Sequence, residues 1–103
     1  MTLVPIPSDR DRKYQRNQDL VSRSVAGETL IVPVRGGVGD LNSIYTLHNV
    51  SQMIWQMVGE GKSFGNMVDD ITREYDVQSE KAEQDLERFL HEMLEEKLIH
   101  LVP

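Results

Sequence analysis

The stretch YTLHNVSQMIWQMV, residues 45–58, changes from the repeat of a strand to the repeat of a helix. Tyr45 and Leu47 lie two residues apart, which places them on one face of an extended strand. Beyond them the spacing becomes that of an amphipathic helix, with apolar residues at Val50, Met53, Ile54, Met57 and Val58. The sequence therefore predicts a strand over residues 43–47 that leads directly into a helix.

Three helices are predicted in succession from this point. Asn49, with Gln52 three residues later, resembles a capping box at the start of the first helix. Ser63 is placed to cap the second helix, whose apolar stripe is Phe64, Met67, Val68, Ile71 and Tyr75. The third helix spans residues 79–97, with an inward face formed by Ala82, Leu86, Phe89, Leu90, Met93 and Leu94. Residues 98–102 then form a short closing strand or a tail packed on the core.

The residues before this stretch carry the signals of a β-hairpin. Apolar and polar side chains alternate over residues 21–25 and 30–34, and Gly27 lies between the two runs at a turn. Pro33 has no N–H group, so we expect it where the sheet needs no donor. The glycine-rich residues 35–40 form a loop before the third strand. The fold class is therefore α+β: a small three-stranded antiparallel sheet followed by a three-helix, winged-helix-like bundle.

Length and composition indicate a single domain. A chain of 103 residues buries a modest core and has little stability to spare. Residues 1–19 are polar and contain two prolines, which predicts a flexible N-terminal arm before a domain over residues 20–103. No segment has the apolar run of a signal peptide or the roughly 20 apolar residues that span a bilayer. We therefore expect a cytoplasmic protein that does not bind membranes.

Negative charge is concentrated in the helical half of the chain. The net charge is −6, and residues 59–103 hold five basic and twelve acidic side chains. A winged-helix arrangement raises DNA binding as an alternative function, with the third helix as the recognition helix. That helix carries seven acidic residues and only Lys81, Arg88 and Lys97 as basic ones over residues 79–97. Because a recognition helix must approach closely spaced phosphates, this balance argues against nucleic-acid binding.

No arrangement of side chains in the sequence predicts catalysis, a metal site or a cofactor. The chain has no cysteine, and its histidines, His48, His91 and His100, lack the close spacing of a metal pair. The glycines of the loop precede a strand, whereas a phosphate-binding loop precedes a helix. No serine lies in a nucleophile motif, and acidic pairs such as Asp69-Asp70 suit a solvated helix face. Trp55, beside the inward stripe of the first helix, is expected in the core.

Residues 20–101 resemble the PqqD family of peptide-binding proteins, also described as recognition elements for ribosomally made, modified peptides. No single motif carries this resemblance, which depends on the order and spacing of several. These are Gly27-Glu28, Tyr45-Thr-Leu47, Ile54-Trp55, Ser63 with Met67 and Ile71, Tyr75-Asp-Val77, Asp85-Leu-x-x-Phe-Leu-x-x-Met93 and Leu98-Ile99.

The chain departs from the family pattern at two positions. His48 stands where the family usually has asparagine after the leucine of the strand, and Asn49 follows it. The helix cap is therefore expected to be shifted by one residue or made by the imidazole. Lys97 stands where the family tends to place a glycine just past the third helix. This second departure leaves the geometry of the tail open.

The resemblance implies a non-catalytic chaperone without a cofactor. Such a protein holds the leader segment of a precursor peptide and delivers it to a modifying enzyme, often a radical enzyme that uses S-adenosylmethionine. The peptide would add as a further strand beside the third strand and enter the cleft along the third helix. The predicted contacts are Ser43, Ile44, Tyr45, Thr46 and Leu47 through the backbone, and Lys81, Asp85, Arg88, Phe89 and Glu92 on the helix. Arg88 would bind an acidic side chain of the peptide.

A different class of function also fits the sequence. A docking or regulatory subunit that binds a folded protein, without a peptide ligand, would have the same fold and the same absence of catalytic groups.

Overall fold

The computed structural model describes residues 9–33 and 45–103. Their elements, in chain order, are a 3-10 helix (Asp9–Asp11), β1 (Tyr14–Arg16), β2 (Leu20–Val25), β3 (Glu28–Pro33), β4 (Tyr45–His48), α1 (Val50–Gly59), α2 (Phe64–Glu74), α3 (Ser79–Glu95) and β5 (Ile99–Leu101). This order confirms the predicted α+β class, with a three-stranded antiparallel sheet followed by three helices. The loop predicted over residues 35–40 lies outside the described residues.

The three-stranded sheet has the order β2-β3-β4, so β4 has one strand neighbour among the described residues. A two-residue turn joins β2 to β3, and both of its residues, Ala26 and Gly27, have positive φ angles of 51° and 81°. Two left-handed residues in a two-residue turn match the right-handed twist of the flanking strands. Thr29 and Ile31 of β3 are buried and pair with Leu47 and Tyr45 of β4.

The core lies between the sheet and the helices. Trp55 is 2% exposed and Leu90 is fully buried, so the prediction that Trp55 belongs to the core is confirmed. The helices bury most of the stripes that their apolar spacing predicts. Met53, Phe89 and Leu94 are only partly buried, and Val50 and Tyr75 are exposed. These side chains lie at the margin of the core, and Phe89 among them lines a surface groove.

The caps of the first two helices differ in how well the sequence predicts them. Ser63 caps α2 as predicted, because its Oγ accepts a hydrogen bond from the N–H of Asn66 at 3.2 Å. The capping box expected at Asn49 and Gln52 is wrong, since Asn49 has a φ of 56° and its side chain makes no cap hydrogen bond. The hydroxyl of Ser51 instead binds the backbone of His48, accepting from its N–H at 3.1 Å and donating to its C=O at 2.7 Å.

The end of α3 has the geometry that usually selects glycine. Helix α3 ends at Glu95, two residues before the predicted end, and Lys97 adopts a left-handed φ of 62°. The N–H of Lys97 donates to the C=O of Leu94, and that of Leu98 donates to the C=O of Met93, both at 3.0 Å. These two bonds form a Schellman motif, which closes the helix and starts the turn into β5.

The N-terminal segment corrects the expectation that residues 1–19 form a flexible arm with little to bury. Strand β1 pairs antiparallel with β5, and Tyr14 is 3% exposed within the core. Arg12 donates to the hydroxyl of Tyr14 at 2.8 Å and to the carboxylate of Glu87 on α3. Pairing with β5 and the ion pair with α3 therefore hold this segment in place. Residues 1–8 lie outside the described part of the chain.

Two global properties concern the described residues as a set. None of their helices is long and apolar enough to cross a membrane. No three or more of their His, Asp and Glu side chains are grouped so that they could hold a metal ion.

Candidate functional site

A groove runs along helix α3, beside β4 and the start of α1. It consists of two adjoining cavities of about 640 and 310 Å³, which share Phe89 and Glu92 in their walls. Other residues of the larger cavity are Asn49, Val50, Ser51, Ile54, Ile71, Tyr75, Val77, Ala82, Asp85, Leu86 and Arg88. Other residues of the smaller cavity are Tyr45, Leu47, Met93, Glu95, Glu96 and Leu98. The smaller cavity therefore has β4 on one side and α3 on the other, and the larger cavity has the start of α1 opposite α3 over an apolar floor.

The strand and the helix that border the groove run in opposite directions. At one end, the hydroxyl of Tyr45 donates a hydrogen bond to Oε2 of Glu96 at 2.9 Å. At the other end, Ser51, just beyond β4, lines the same cavity as Asp85 in the first half of α3. Moving along β4 from Tyr45 to His48 therefore means moving along α3 from its C-terminal end toward its N-terminal end.

The hydrogen-bond pattern of the sheet shows which backbone groups of β4 face the groove side. The two-residue turn makes Val25 and Glu28 a hydrogen-bonded pair, so the backbone groups of Glu28 point toward β2. The backbone groups of successive strand residues point to opposite sides. The backbone groups of Thr29 and of its register partner Leu47 therefore point toward each other, and the backbone groups of Thr46 point away from β3. The N–H and C=O of Thr46 are therefore available at the open edge.

His48 supports this assignment independently. Its N–H and C=O also fall on the side away from β3 by the same alternation, and the hydroxyl of Ser51 binds both of them. The open edge of β4 is thus closed at its C-terminal end by a side chain and open at Thr46.

Charged side chains border the larger cavity on α3. Oδ1 of Asp85 accepts from Nζ of Lys81 at 3.1 Å and from Nη2 of Arg88 at 3.2 Å. The Arg88 side chain is 71% exposed, so its guanidinium contacts water as well as Asp85. An exposed pair of this kind is weak and leaves the cation able to bind another anion.

The matched family covers residues 28–99 of this chain and is described as coenzyme PQQ synthesis protein D (PqqD). The chain belongs to the PqqD family. The comparison with curated proteins finds no match.

Two solved structures share the fold of this PqqD-family protein. One is described as TbiB1 in complex with the TbiA(beta) leader peptide, at 27% identity and a TM-score of 0.74, covering 84% of this chain and 94% of that one. The other is described as lasso peptide synthetase B1 complexed with the leader peptide, at 18% identity and a TM-score of 0.73, covering 88% and 99%. The resemblance drawn from the sequence to the PqqD family is thereby confirmed.

The structure brings most of the sequence-predicted site residues of the PqqD-family protein to one groove. Those in its walls are Tyr45, Leu47, Asp85, Arg88, Phe89 and Glu92. Lys81 stands outside both cavities, although it binds Asp85. Thr46 has an exposed side chain and offers its backbone, while Ser43 and Ile44 lie outside the described residues.

The floor of the groove was not predicted from the sequence, nor were Glu95 and Glu96, which lie beside the predicted Glu92. The floor is assembled from α1, from the end of α2 and from the segment before α3, through Ile54, Ile71 and Val77. Ile54 and Ile71 fit ordinary core stripes, and Val77 lies between two helices, so spacing alone gives no signal of a cavity. Tyr75 is the exception, because it is 40% exposed although it continues the apolar stripe of α2.

Proposed function

We propose that this PqqD-family protein is a non-catalytic binding protein that holds the leader segment of a precursor peptide and presents it to a peptide-modifying enzyme. The observation that carries the proposal is the open backbone edge at Thr46 beside a groove with an apolar floor. An extended peptide can pair with such an edge through its main chain and place alternate side chains in the groove.

The solved neighbours support the same mode of use. Both are described as complexes with a leader peptide, and the TbiB1 structure matches most of both chains. The family pattern also extends the proposal to the partner enzyme, for which a radical enzyme using S-adenosylmethionine is the expected class. The enzyme would act on the part of the peptide that leaves the groove.

Within the groove, the sequence-predicted contacts become specific proposals. Tyr45, Leu47 and Phe89 would contact apolar side chains of the peptide, and the backbone of Thr46 would exchange two hydrogen bonds with it. Arg88 would bind an acidic side chain near the first half of α3. Arg88→Glu should therefore weaken the binding of an acidic peptide more than the binding of a neutral one.

The backbone pairing can be tested by removing one donor. A peptide selected from a displayed random library on the immobilised protein serves as the probe, and its affinity is measured by titration calorimetry. Thr46→Pro removes the N–H that points away from β3, so the β3–β4 ladder is retained and binding should weaken about tenfold. Thr46→Val keeps the N–H and is the matched control, with binding close to that of the unchanged protein.

Amide NMR during the titration locates the bound peptide. Slowed exchange at Thr46, with shifts along β4 and α3, is the expected result. Shifts confined to β2, at the opposite edge of the sheet from β4, would contradict strand addition. Equal binding by the Thr46→Pro and Thr46→Val variants would contradict it as well. Failure to select any peptide would favour a docking subunit that binds a folded protein.

A further inference from the structure

The groove changes in chemistry along its length. Its larger cavity has an apolar floor that includes Ile54, Val77 and Leu86. Its smaller cavity is bordered by Glu92, Glu95 and Glu96, and none of the described residues in its wall is basic. The apolar part therefore lies toward the first half of α3, and the anionic part lies at the C-terminal end of that helix.

The neighbouring groups that the structure describes compensate the carboxylates of the smaller cavity only partly. Glu96 accepts a hydrogen bond from the neutral hydroxyl of Tyr45, and Oε1 of Glu95 lies 2.6 Å from Nε2 of His91. Within the described part of the chain, no ion pair or hydrogen bond involves the Glu92 side chain. The C-terminal end of α3 adds the partial negative charge of its last carbonyl groups. Lys97 follows immediately but does not line the cavity.

The direction of a bound strand follows from the geometry of the groove. An antiparallel partner of β4 would run from the His48 end toward the Tyr45 end. Because β4 and α3 are themselves antiparallel, such a peptide would run parallel to α3 and reach the larger cavity before the acidic one. Earlier residues of the peptide therefore meet the apolar cavity, and later residues meet the acidic cavity.

The spacing along the peptide can also be estimated. Phe89 and Glu96 are separated by about 10 Å along the helix axis at a rise of about 1.5 Å per residue. An extended strand covers that distance in about three residues, and side chains on one face recur every second residue. The two positions of the peptide should therefore be about two to four residues apart.

We propose that the peptide bound in this groove carries a lysine or arginine about two to four residues after its apolar anchor, where it meets Glu92 and Glu96. The inference rests on the proposed function and names the chemistry of its ligand. A cation in this position would face the groove wall while its stem covers the edge of Phe89.

The test compares the peptides that three forms of the full-length protein select from one displayed random library. The unchanged protein should enrich lysine and arginine on the C-terminal side of the apolar anchor. Glu92→Gln combined with Glu96→Gln should abolish that enrichment while still selecting the anchor. Glu74→Gln combined with Glu80→Gln, which makes the same change in net charge outside the groove, should retain it.

Affinities of single peptides complete the test. In a selected peptide, replacing the basic residue with glutamate should weaken binding to the unchanged protein about tenfold. The same peptide change should weaken binding to the variant with Glu92→Gln and Glu96→Gln much less. Selection of anchors without basic residues, or with basic residues only before the anchor, would overturn this inference and leave the proposed function standing. If no peptide is selected at all, both are overturned.

Discussion

Lys97 occupies a backbone conformation that disfavours any residue with a β-carbon. Its φ of 62° is required by the turn that joins α3 to β5. The resemblance to the family predicts glycine at this place, and this chain adopts the left-handed conformation with a lysine. The lysine therefore adds strain at the position while the bonds that close α3 still form.

Lys97→Gly should raise the free energy of unfolding by about 1 kcal/mol, because glycine adopts the left-handed conformation without steric cost. Chemical denaturation measures the change. Glu96→Gly, one residue earlier at a φ of −81°, serves as the control and should lower stability. Equal effects of the two glycines would contradict the assignment of strain to Lys97.

Asp70 gives the molecule a local dependence on pH. A hydrogen bond from Lys62 holds the pKa of the Asp70 carboxyl below its ordinary value, and Arg73 adds to the effect. Because the pKa is depressed in the folded state, the carboxylate contributes stability above the unfolded pKa, and this contribution is lost as the pH falls through the folded value.

Asp70→Asn should therefore lower stability at neutral pH, and the difference from the unchanged protein should shrink in acid as the carboxyl protonates. Thermal unfolding at a series of pH values measures it. Glu74→Gln, which makes the same change in charge on the last turn of α2, should show no comparable trend. A constant difference across the acid range would argue against this ion pair.

At the scale of elements, β1 shows where sequence reasoning stops. Tyr14 is one aromatic residue in a polar segment, and nothing in its neighbours predicts burial. The strand that carries it packs against β5 and α1, both more than thirty residues away in the chain. By contrast, the hairpin and the three helices are predicted from local spacing, because each buries one continuous face.

Tyr14→Ala should lower the free energy of unfolding by about 3 kcal/mol, as large-to-small changes in a core do. Tyr14→Phe keeps the ring and removes only the hydroxyl that Arg12 binds, so it should cost about 1 kcal/mol. Because β1 lies away from the groove, the affinity of a selected peptide at low temperature should be nearly unchanged in both variants. Loss of binding by the folded alanine variant would place β1 in the site.

The same limit applies to the candidate site. The helix wall of the groove was predictable from α3 alone, since Asp85, Phe89 and Glu92 recur at helical spacing. The floor required three segments to be brought together, and the cap at His48 depended on a hydroxyl from Ser51. Contacts between elements decide such features, and periodicity within one element does not report them.

The net charge of the molecule favours some classes of partner over others. The net charge is −6, with the excess of carboxylates on the helices that border the groove. A field of this sign slows the approach of polyanions and favours cationic or neutral partners. If α3 served as a recognition helix, residues 79–97 would present seven acidic side chains to the DNA phosphates.

Duplex DNA should therefore show no measurable binding at physiological salt. A mobility-shift assay over the low micromolar range tests this expectation, with a basic winged-helix protein as the positive control. A shift that disappears as salt increases would indicate phosphate contacts and favour DNA binding over peptide binding.

The contact between Ser51 and the backbone of His48 has a consequence for substrate geometry. With both groups of His48 already bonded to Ser51, an added strand has no backbone partner there, so its pairing with β4 ends at Thr46. The side chains that enter the two cavities would then set which residue of a leader peptide pairs with Thr46. In the antiparallel orientation, the segment after the paired residues leaves at the Tyr45 end. The binding protein would in this way set the number of residues between the anchor and the position that its partner enzyme modifies.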